Sequence, residues 1–408
     1  MLCRDRAGVK PLFYTRQGGE LIFASEIKGI FAHPEVVPRL KKEGLQEIFS
    51  IGPARIPGSG VFDGIKEVLP GHYLIADASG MKDCCYWKLE SRPHKDSLEE
   101  TVEKTSFLIR DSIRRQMVSD VPICTFLSGG IDSSVVSAIC AGELKKKGKQ
   151  LHTFSFDFTG NDQFFQANDF QPSRDRPYVE MMVKFLESNH HYLECSSTVQ
   201  ADRLYDSVLA HDLPAMADVD SSMLQFCSMV KDTCKVALTG ECADEIFGGY
   251  PWFHKEEFFS ANTFPWSIHP GARQVLLKDE VLDELKMEEF IRETYEVSVA
   301  ETPRLEGESK TEARRREISY LNLRWFMQTL LNRMDRTSMY SGLEARVPFA
   351  DHRIIEYVWN VPWEWKTAGG VAKSLLRQAS RGLVPEEVLF RKKSPYPKTY
   401  DRGYEALL

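Results

Sequence analysis

The chain has 408 residues, 42% of them hydrophobic, and a net charge of −7, which suits about two soluble globular domains with apolar cores. The acidic balance argues against a nucleic-acid-binding surface as the main role. No run approaches about 18 uninterrupted apolar residues, and charged Arg4-Asp5-Arg6 stands where a signal peptide needs an apolar stretch. No nucleic acid and no membrane are therefore expected as partners, and a cytoplasmic location is. The nine cysteines are odd in number, contain no CxxC pair and mostly lie in apolar segments, as reduced core thiols do.

Residues 1 to about 90 read as a small α+β unit, with strands at Pro11–Thr15, Leu21–Ala24 and Tyr73–Ile75 and a helix at Glu26–Phe31. The polar run Glu90–Asp96 reads as a linker, which sets domain boundaries of 1–92 and 96–408. Ser97 followed by Glu100 is a capping box, and Leu98, Val102, Ile109, Ile113 and Met117 recur at helical spacing behind it. Strands are then expected at Ile123–Leu127, His152–Phe158, His191–Leu193 and Lys235–Leu238. Helices are expected between them at Ser133–Lys146, Tyr178–Glu187 and Val199–His211. This alternation implies right-handed βαβ units and a doubly wound parallel α/β sheet, whose ligands bind beyond the carboxyl ends of the strands. The polar segment Thr159–Arg176 is expected as a mobile loop near that edge. Residues after about 255 read as mainly helical, with Glu312–Ser341 the clearest stretch.

Ser128-Gly129-Gly130-Ile131-Asp132-Ser133 stands between the first of these strands and its helix. Two glycines let backbone approach an anion, and Ser128, Ser133 and Ser134 offer hydroxyls beside the unpaired N–H groups of the helix start. No Walker lysine is present. A phosphate here would be held by amides, hydroxyls and a magnesium ion on Asp132. The plainer alternative is a serine- and glycine-rich turn capping a helix. At the end of the last strand, Thr239-Gly240-Glu241-Cys242-Ala243-Asp244-Glu245 places three carboxylates within five residues. Such a cluster suits a magnesium–pyrophosphate complex or, more simply, a solvated acidic helix start.

Ser128–Ser133 resembles the pyrophosphate loop of ATP pyrophosphatases, which cleave ATP to AMP and pyrophosphate; GMP, NAD and argininosuccinate synthetases share that loop. Together with Gly240–Glu245 and the segments Leu331–Met339, Leu343–Arg353 and Lys373–Arg377, it resembles the synthetase half of glutamine-hydrolysing asparagine synthetases over most of residues 1–408. The resemblance implies an ATP-pyrophosphatase (adenine nucleotide α-hydrolase-like) fold. It also implies aspartate, ATP, Mg2+ and ammonia as reactants and cofactors, and a β-aspartyl-AMP intermediate. Carried over residue by residue, it implies ATP and pyrophosphate binding by Leu127, Ser128, Gly129, Gly130, Asp132, Ser133, Ser134 and Gly240, and metal binding by Asp132 and Asp244. Glu241 takes the proton of the attacking ammonia, and Lys373 neutralises charge on the phosphoryl oxygens. An exposed helical lysine is the commoner explanation for Lys373. Asp335 and Arg336 stand between a substrate role and a helix ion pair with Arg333. Leu343–Arg353 also reads as a buried turn, and the basic run Arg391-Lys392-Lys393, followed by the proline-stiffened Ser394-Pro395-Tyr396-Pro397-Lys398, as a loop that meets phosphates or closes the site.

Residues 4–15 and 23–31 resemble closing segments of the family's N-terminal-nucleophile-type glutaminase domain, whose opening segments are absent. The family's nucleophilic cysteine follows an excised methionine. Here Leu2 follows Met1, so Cys3 is expected to be a buried structural thiol and glutamine hydrolysis to be lost, with ammonia as donor. A homodimer or a separate glutaminase is left open as a partner, and an exposed strand edge is expected at Leu21–Ala24. The competing readings are a β-lactam-synthetase-like adenylating enzyme and a catalytically incomplete nucleotide-binding fragment.

Overall fold

A computed structural model describes residues 1–167, 171–268 and 271–408. The backbone divides into two compact units. Unit 1 is 1–93, 212–214 and 250–332, and unit 2 is 94–211, 215–249 and 333–408. The first division lies between residues 93 and 94. Residues 250–332, expected to belong with the C-terminal part, group instead with the N-terminal residues. The reason is a shared core in which Ile51 and Ala54 are buried with Phe264, Ile291, Tyr295, Leu321 and Trp325. Polar ties add to it: Gln46 Nε2 donates to the Leu285 carbonyl at 2.7 Å and Gln328 Nε2 to the Ala7 carbonyl at 2.8 Å.

Among the described residues, unit 1 carries two antiparallel sheets of three strands. One is ordered β1 (Leu2–Cys3), β5 (His72–Asp77), β6 (Gly80–Cys85), and the other β3 (Glu20–Ala24), β2 (Phe13–Gln17), β4 (Lys66–Glu67). Phe13, Ile27, Ile30, Val61 and Ile65 bury one face of the second sheet. Its edge strand β3 leaves Phe23 57% exposed. Cys3 is exposed rather than buried, because the two-residue strand β1 turns Leu2 inward and therefore Cys3 outward. Cys85 is also exposed, while Cys124, Cys140, Cys195, Cys227, Cys234 and Cys242 are buried, and all nine cysteines are free.

Unit 2 is built on a five-stranded sheet, parallel at every pairing. Its strands are β7 (Ile123–Phe126), β8 (His152–Phe158), β9 (Asn189–Cys195), β10 (Val236–Leu238) and β11 (Glu344–Arg346), in the order β11-β10-β7-β8-β9. The chain thus runs outward from β7 to β9, returns to the other side of β7 at β10 and ends at β11. That is a doubly wound order, and its switch point lies between β7 and β10. Both central strands are apolar and buried, as a sheet covered on two faces requires: Ile123, Cys124, Val236, Ala237 and Leu238 are each at most 9% exposed.

The helices Ile131–Lys145, Arg176–Leu186 and Ser197–His211 lie close to their expected spans. Leu98–Gln116 begins at the capping box, with Ser97 Oγ accepting from the Glu100 N–H at 3.3 Å and Glu100 Oε2 from the Ser97 N–H at 2.8 Å. The stretch expected as one helix over Glu312–Ser341 is Lys310–Leu321, a π-helical turn Asn322–Phe326 and Met327–Tyr340. Of the polar segment Thr159–Arg176, residues 168–170 lie outside the described residues. Its described part is held by Asn161 Nδ2, which donates to Asp157 Oδ1 at 2.7 Å and to the Lys398 carbonyl at 3.0 Å. No described helix is long and apolar enough to cross a membrane.

Candidate functional site

The turn after β7 is the first component. Leu127 is buried and still belongs to the sheet, its N–H donating to the Phe154 carbonyl at 2.8 Å. Gly129 adopts φ +70°, and Gly130 forms the N-cap of the helix Ile131–Lys145 without a side-chain cap. The first N–H groups of that 15-residue helix therefore lack a capping side chain, and its dipole favours an anion there. Ser133 Oγ folds back to accept from the Ser128 N–H at 3.1 Å, donates to the Gly130 carbonyl at 3.2 Å and lies 3.0 Å from Ser128 Oγ. The two hydroxyls pre-shape the loop. Ser134 departs from the expectation, because the first helical turn carries it fully into the core, where its Oγ has no partner among the described residues.

The segment after β10 is the second component, and the register Leu238↔Thr125 sets it beside the first. A Cβ on Gly240 would lie 2.6 Å from the Ser133 backbone nitrogen and 2.8 Å from the Asp132 carbonyl carbon. Glycine is what lets the two strand-end turns touch. Cys242, at φ +73°, turns the chain into the short helix Ala243–Phe247, whose first turn carries Asp244.

Lys373 joins the two. Its side chain is 3% exposed, at φ +57° before the helix Ser374–Ala379, and its ammonium donates to Asp132 Oδ1 at 2.8 Å and Oδ2 at 2.7 Å. It also lies 2.8 Å from Asp244 Oδ1. An exposed helical lysine is thereby excluded. Lys393 pairs with the other oxygen, Asp244 Oδ2. Burial pushes the Asp132 carboxyl up; Lys373 pulls it down, and the neighbouring Asp244 charge adds to the rise. Burial opposes ionisation of Asp244 as well, but Lys373 and Lys393 hold it well below the ordinary carboxylate range. Burial alone would lower Lys373, and the two carboxylates outweigh it and keep the ammonium charged.

Asp132 and Asp244 converge on one ammonium and so on one point. Two carboxylates completed by phosphate oxygens form a donor set that suits magnesium. No group of three or more His, Cys, Asp or Glu side chains that could hold a metal occurs among the described residues, so an ion here needs oxygens from a ligand.

Glu241 accepts from Arg333 Nη2 at 2.9 Å, a charge-assisted bond that orients its carboxylate. Arg333 is thus engaged with the strand-end segment. Asp335 and Arg336 are buried, at 7% and 1% exposure.

Three residues outside the expected set also reach this edge. Arg391 donates to the Ser128 carbonyl at 3.2 Å and to Asp175 Oδ1 at 2.5 Å, and lies 4.1 Å over the Tyr178 ring. The basic run at 391–393 was the signal for Arg391 and Lys393; Asp175 lies in the polar segment Thr159–Arg176 expected near this edge, with nothing that singled it out.

The family model described as Asparagine synthase matches residues 105–407, and the one described as Glutamine amidotransferase domain matches residues 1–87. The chain is 50% identical over 402 residues to glutamine-hydrolyzing asparagine synthetase 3 of Bacillus subtilis, covering 98% of this chain and 65% of that protein. It is 28% identical over 429 residues to asparagine synthetase 1 of the same organism, covering 97% and 65%. The chain thus spans 65% of the length of each of these relatives. Among solved structures, NAD+ synthetase from Burkholderia pseudomallei aligns over 72% of this chain and 92% of that one at 14% identity and a TM-score of 0.24, too low to bear on the fold.

Proposed function

The chain belongs to the asparagine synthase family, and from that premise we propose that unit 2 is an ATP-pyrophosphatase-type amide ligase that makes asparagine from aspartate and ammonia. The observation that carries the reading is the meeting of two strand-end turns at the switch point of a parallel sheet, with Lys373 bridging Asp132 and Asp244. A helix start, loop hydroxyls and two ammoniums around two carboxylates form a site for a polyphosphate bound with a divalent cation.

In this reading the β-carboxylate of aspartate attacks the α-phosphorus of ATP. A P–O bond forms to the carboxylate, the bond to the pyrophosphate oxygen breaks, and β-aspartyl-AMP results. Ammonia then attacks the acyl carbon and AMP leaves. Ser128, Gly129, Gly130 and Ser133 hold the phosphates, while Lys373 stabilises charge on the phosphoryl oxygens. Asp132 and Asp244 would hold a magnesium ion, which would supply positive charge for the leaving pyrophosphate. Glu241, oriented by Arg333, takes the proton from the attacking nitrogen.

The test is incubation with ATP, magnesium and aspartate, with ammonium or glutamine as nitrogen donor. AMP, pyrophosphate and asparagine should appear in equal amounts when ammonium is supplied. Asp132→Ala should lower pyrophosphate release by at least about a hundredfold, because it removes a carboxylate partner of both Lys373 and the metal. Full activity in that variant, or no pyrophosphate from the wild type with either donor, overturns the reading.

A further inference from the structure

Arg377 follows Lys373 by one helical turn, in the short helix Ser374–Ala379. Its N–H donates to the Lys373 carbonyl at 3.0 Å, and the residue is buried, at 6% exposure. Its guanidinium donates to three carbonyls: Nε to Ala372 at 2.9 Å, Nη1 to Leu389, and Nη2 to Arg391 at 3.1 Å. Burial lowers its basicity, against the pull of the Asp132 and Asp244 charges. A buried charge is a costly means of tying carbonyls together.

What these bonds hold is the backbone of Lys373. That residue stands at φ +57°, ψ +33°, a left-handed conformation disfavoured for any side chain with a Cβ and kept only where its surroundings over-determine it. The Ala372 carbonyl belongs to the peptide that enters Lys373, and the Lys373 carbonyl to the peptide that leaves it. Arg377 binds both, the first through its side chain and the second through its main chain. The remaining two bonds reach the carbonyls of Leu389 and Arg391, and Arg391 in turn donates to the Ser128 carbonyl at 3.2 Å. One guanidinium thus joins the turn that carries Lys373 to a segment that touches the Ser128–Ser133 loop. The planar fork of arginine can serve three separate carbonyls in this way, whereas a lysine ammonium is a single point.

We propose that Arg377 is the positioning residue for Lys373: by fixing both peptides that flank it and tying them to the Leu389–Arg391 backbone, it sets the Lys373 ammonium where the phosphoryl oxygens are to be met. The inference rests on the ligase reading above, and Arg377 acts through Lys373 rather than on the nucleotide.

A double-mutant cycle on the full chain tests it, with AMP formation from radiolabelled ATP, magnesium, aspartate and ammonium as the rate measured. Arg377→Lys keeps the buried charge and should slow AMP formation about a hundredfold, the scale for a reacting group displaced by about 1 Å. Lys373→Gln should lose about a hundredfold to a thousandfold, as removal of one electrostatic donor does. In the Lys373→Gln background, Arg377→Lys should cost less than about threefold more, because the group it positions is already gone. A purely structural arginine would lower the fraction of active molecules equally in both backgrounds. Losses that multiply across the two variants, or a wild-type rate in Arg377→Lys, therefore overturn the proposal and leave the ligase reading intact. Thermal melts identify any variant that does not fold; in place of an unfolded Arg377→Lys, Arg377→Gln, which keeps one amide donor for the Ala372 carbonyl, enters the same cycle. A wild type that forms no AMP overturns the ligase reading itself.

Discussion

Gly129 and Gly130 are neighbours with different duties. At Gly129 the backbone has φ +70°, and a Cβ would lie 2.7 Å from Tyr178 Cβ and 2.9 Å from the Val179 nitrogen, so the protein itself requires glycine there. At Gly130 the nearest atom to an added Cβ is Ser128 Oγ at 3.4 Å, leaving open space where an anion would approach. Gly129→Ala should thus destabilise by at least about 2 kcal/mol, combining left-handed strain with a backbone clash. Gly130→Ala should cost less than about 1 kcal/mol, the loss of a tolerated N-cap. Urea unfolding of the two variants measures this, and equal losses contradict the geometry. The acidic residues of the site were legible because they stand at the ends of apolar strands. Lys373 was named only through the family resemblance: it meets Asp132 across 241 residues of sequence, and only the fold shows that it is buried.

The helices and strands with regular apolar patterning were legible in place but not at their ends: the strand expected at His191–Leu193 runs Asn189–Cys195. Strand β11 was not, and read equally as a buried turn, because Glu344-Ala345-Arg346 has one apolar residue and pairs with β10 only through the fold. Its charges suit a sheet edge, with Arg346 Nε donating to Glu344 Oε1 at 2.9 Å. The helix Asp218–Val230 was not among the expected elements; its first turns bury Asp220, Ser221 and Ser222, polar residues that interrupt an apolar pattern. Just after β11, Asp351 caps the helix His352–Trp359, accepting from the Arg353 N–H at 2.9 Å. Burial alone would raise this carboxyl, but bonds from Arg353 hold it below its ordinary value of 3.8. A carboxyl lowered by folding stabilises above its unfolded value and loses that contribution as pH falls through its folded value. Asp351→Asn keeps a competent cap and removes the charge. Its melting temperature should fall short of wild type at pH 6, and the gap should close on acidification below 3.8. A gap that stays constant with pH contradicts this assignment.

At the scale of the chain, the linker near residue 93 was visible in its polar composition, but the return of residues 250–332 to unit 1 was not. Those residues are helical and apolar, and helical periodicity states that a face is buried without saying against what. The order of the sheet was equally hidden, although the alternation of strands and helices was enough to expect a parallel sheet with its site at the strand ends. The proposed ligase chemistry turns on one step, the opening of ATP at its α-phosphorus by a carboxylate of aspartate at the Ser128–Ser133 loop. Aspartate carrying oxygen-18 in its β-carboxylate, incubated with ATP, magnesium and ammonium, tests it directly by mass spectrometry of the nucleotide product. The account predicts one labelled oxygen in the phosphate of AMP and none in pyrophosphate. Unlabelled AMP, or label in inorganic phosphate with ADP as the product, contradicts it.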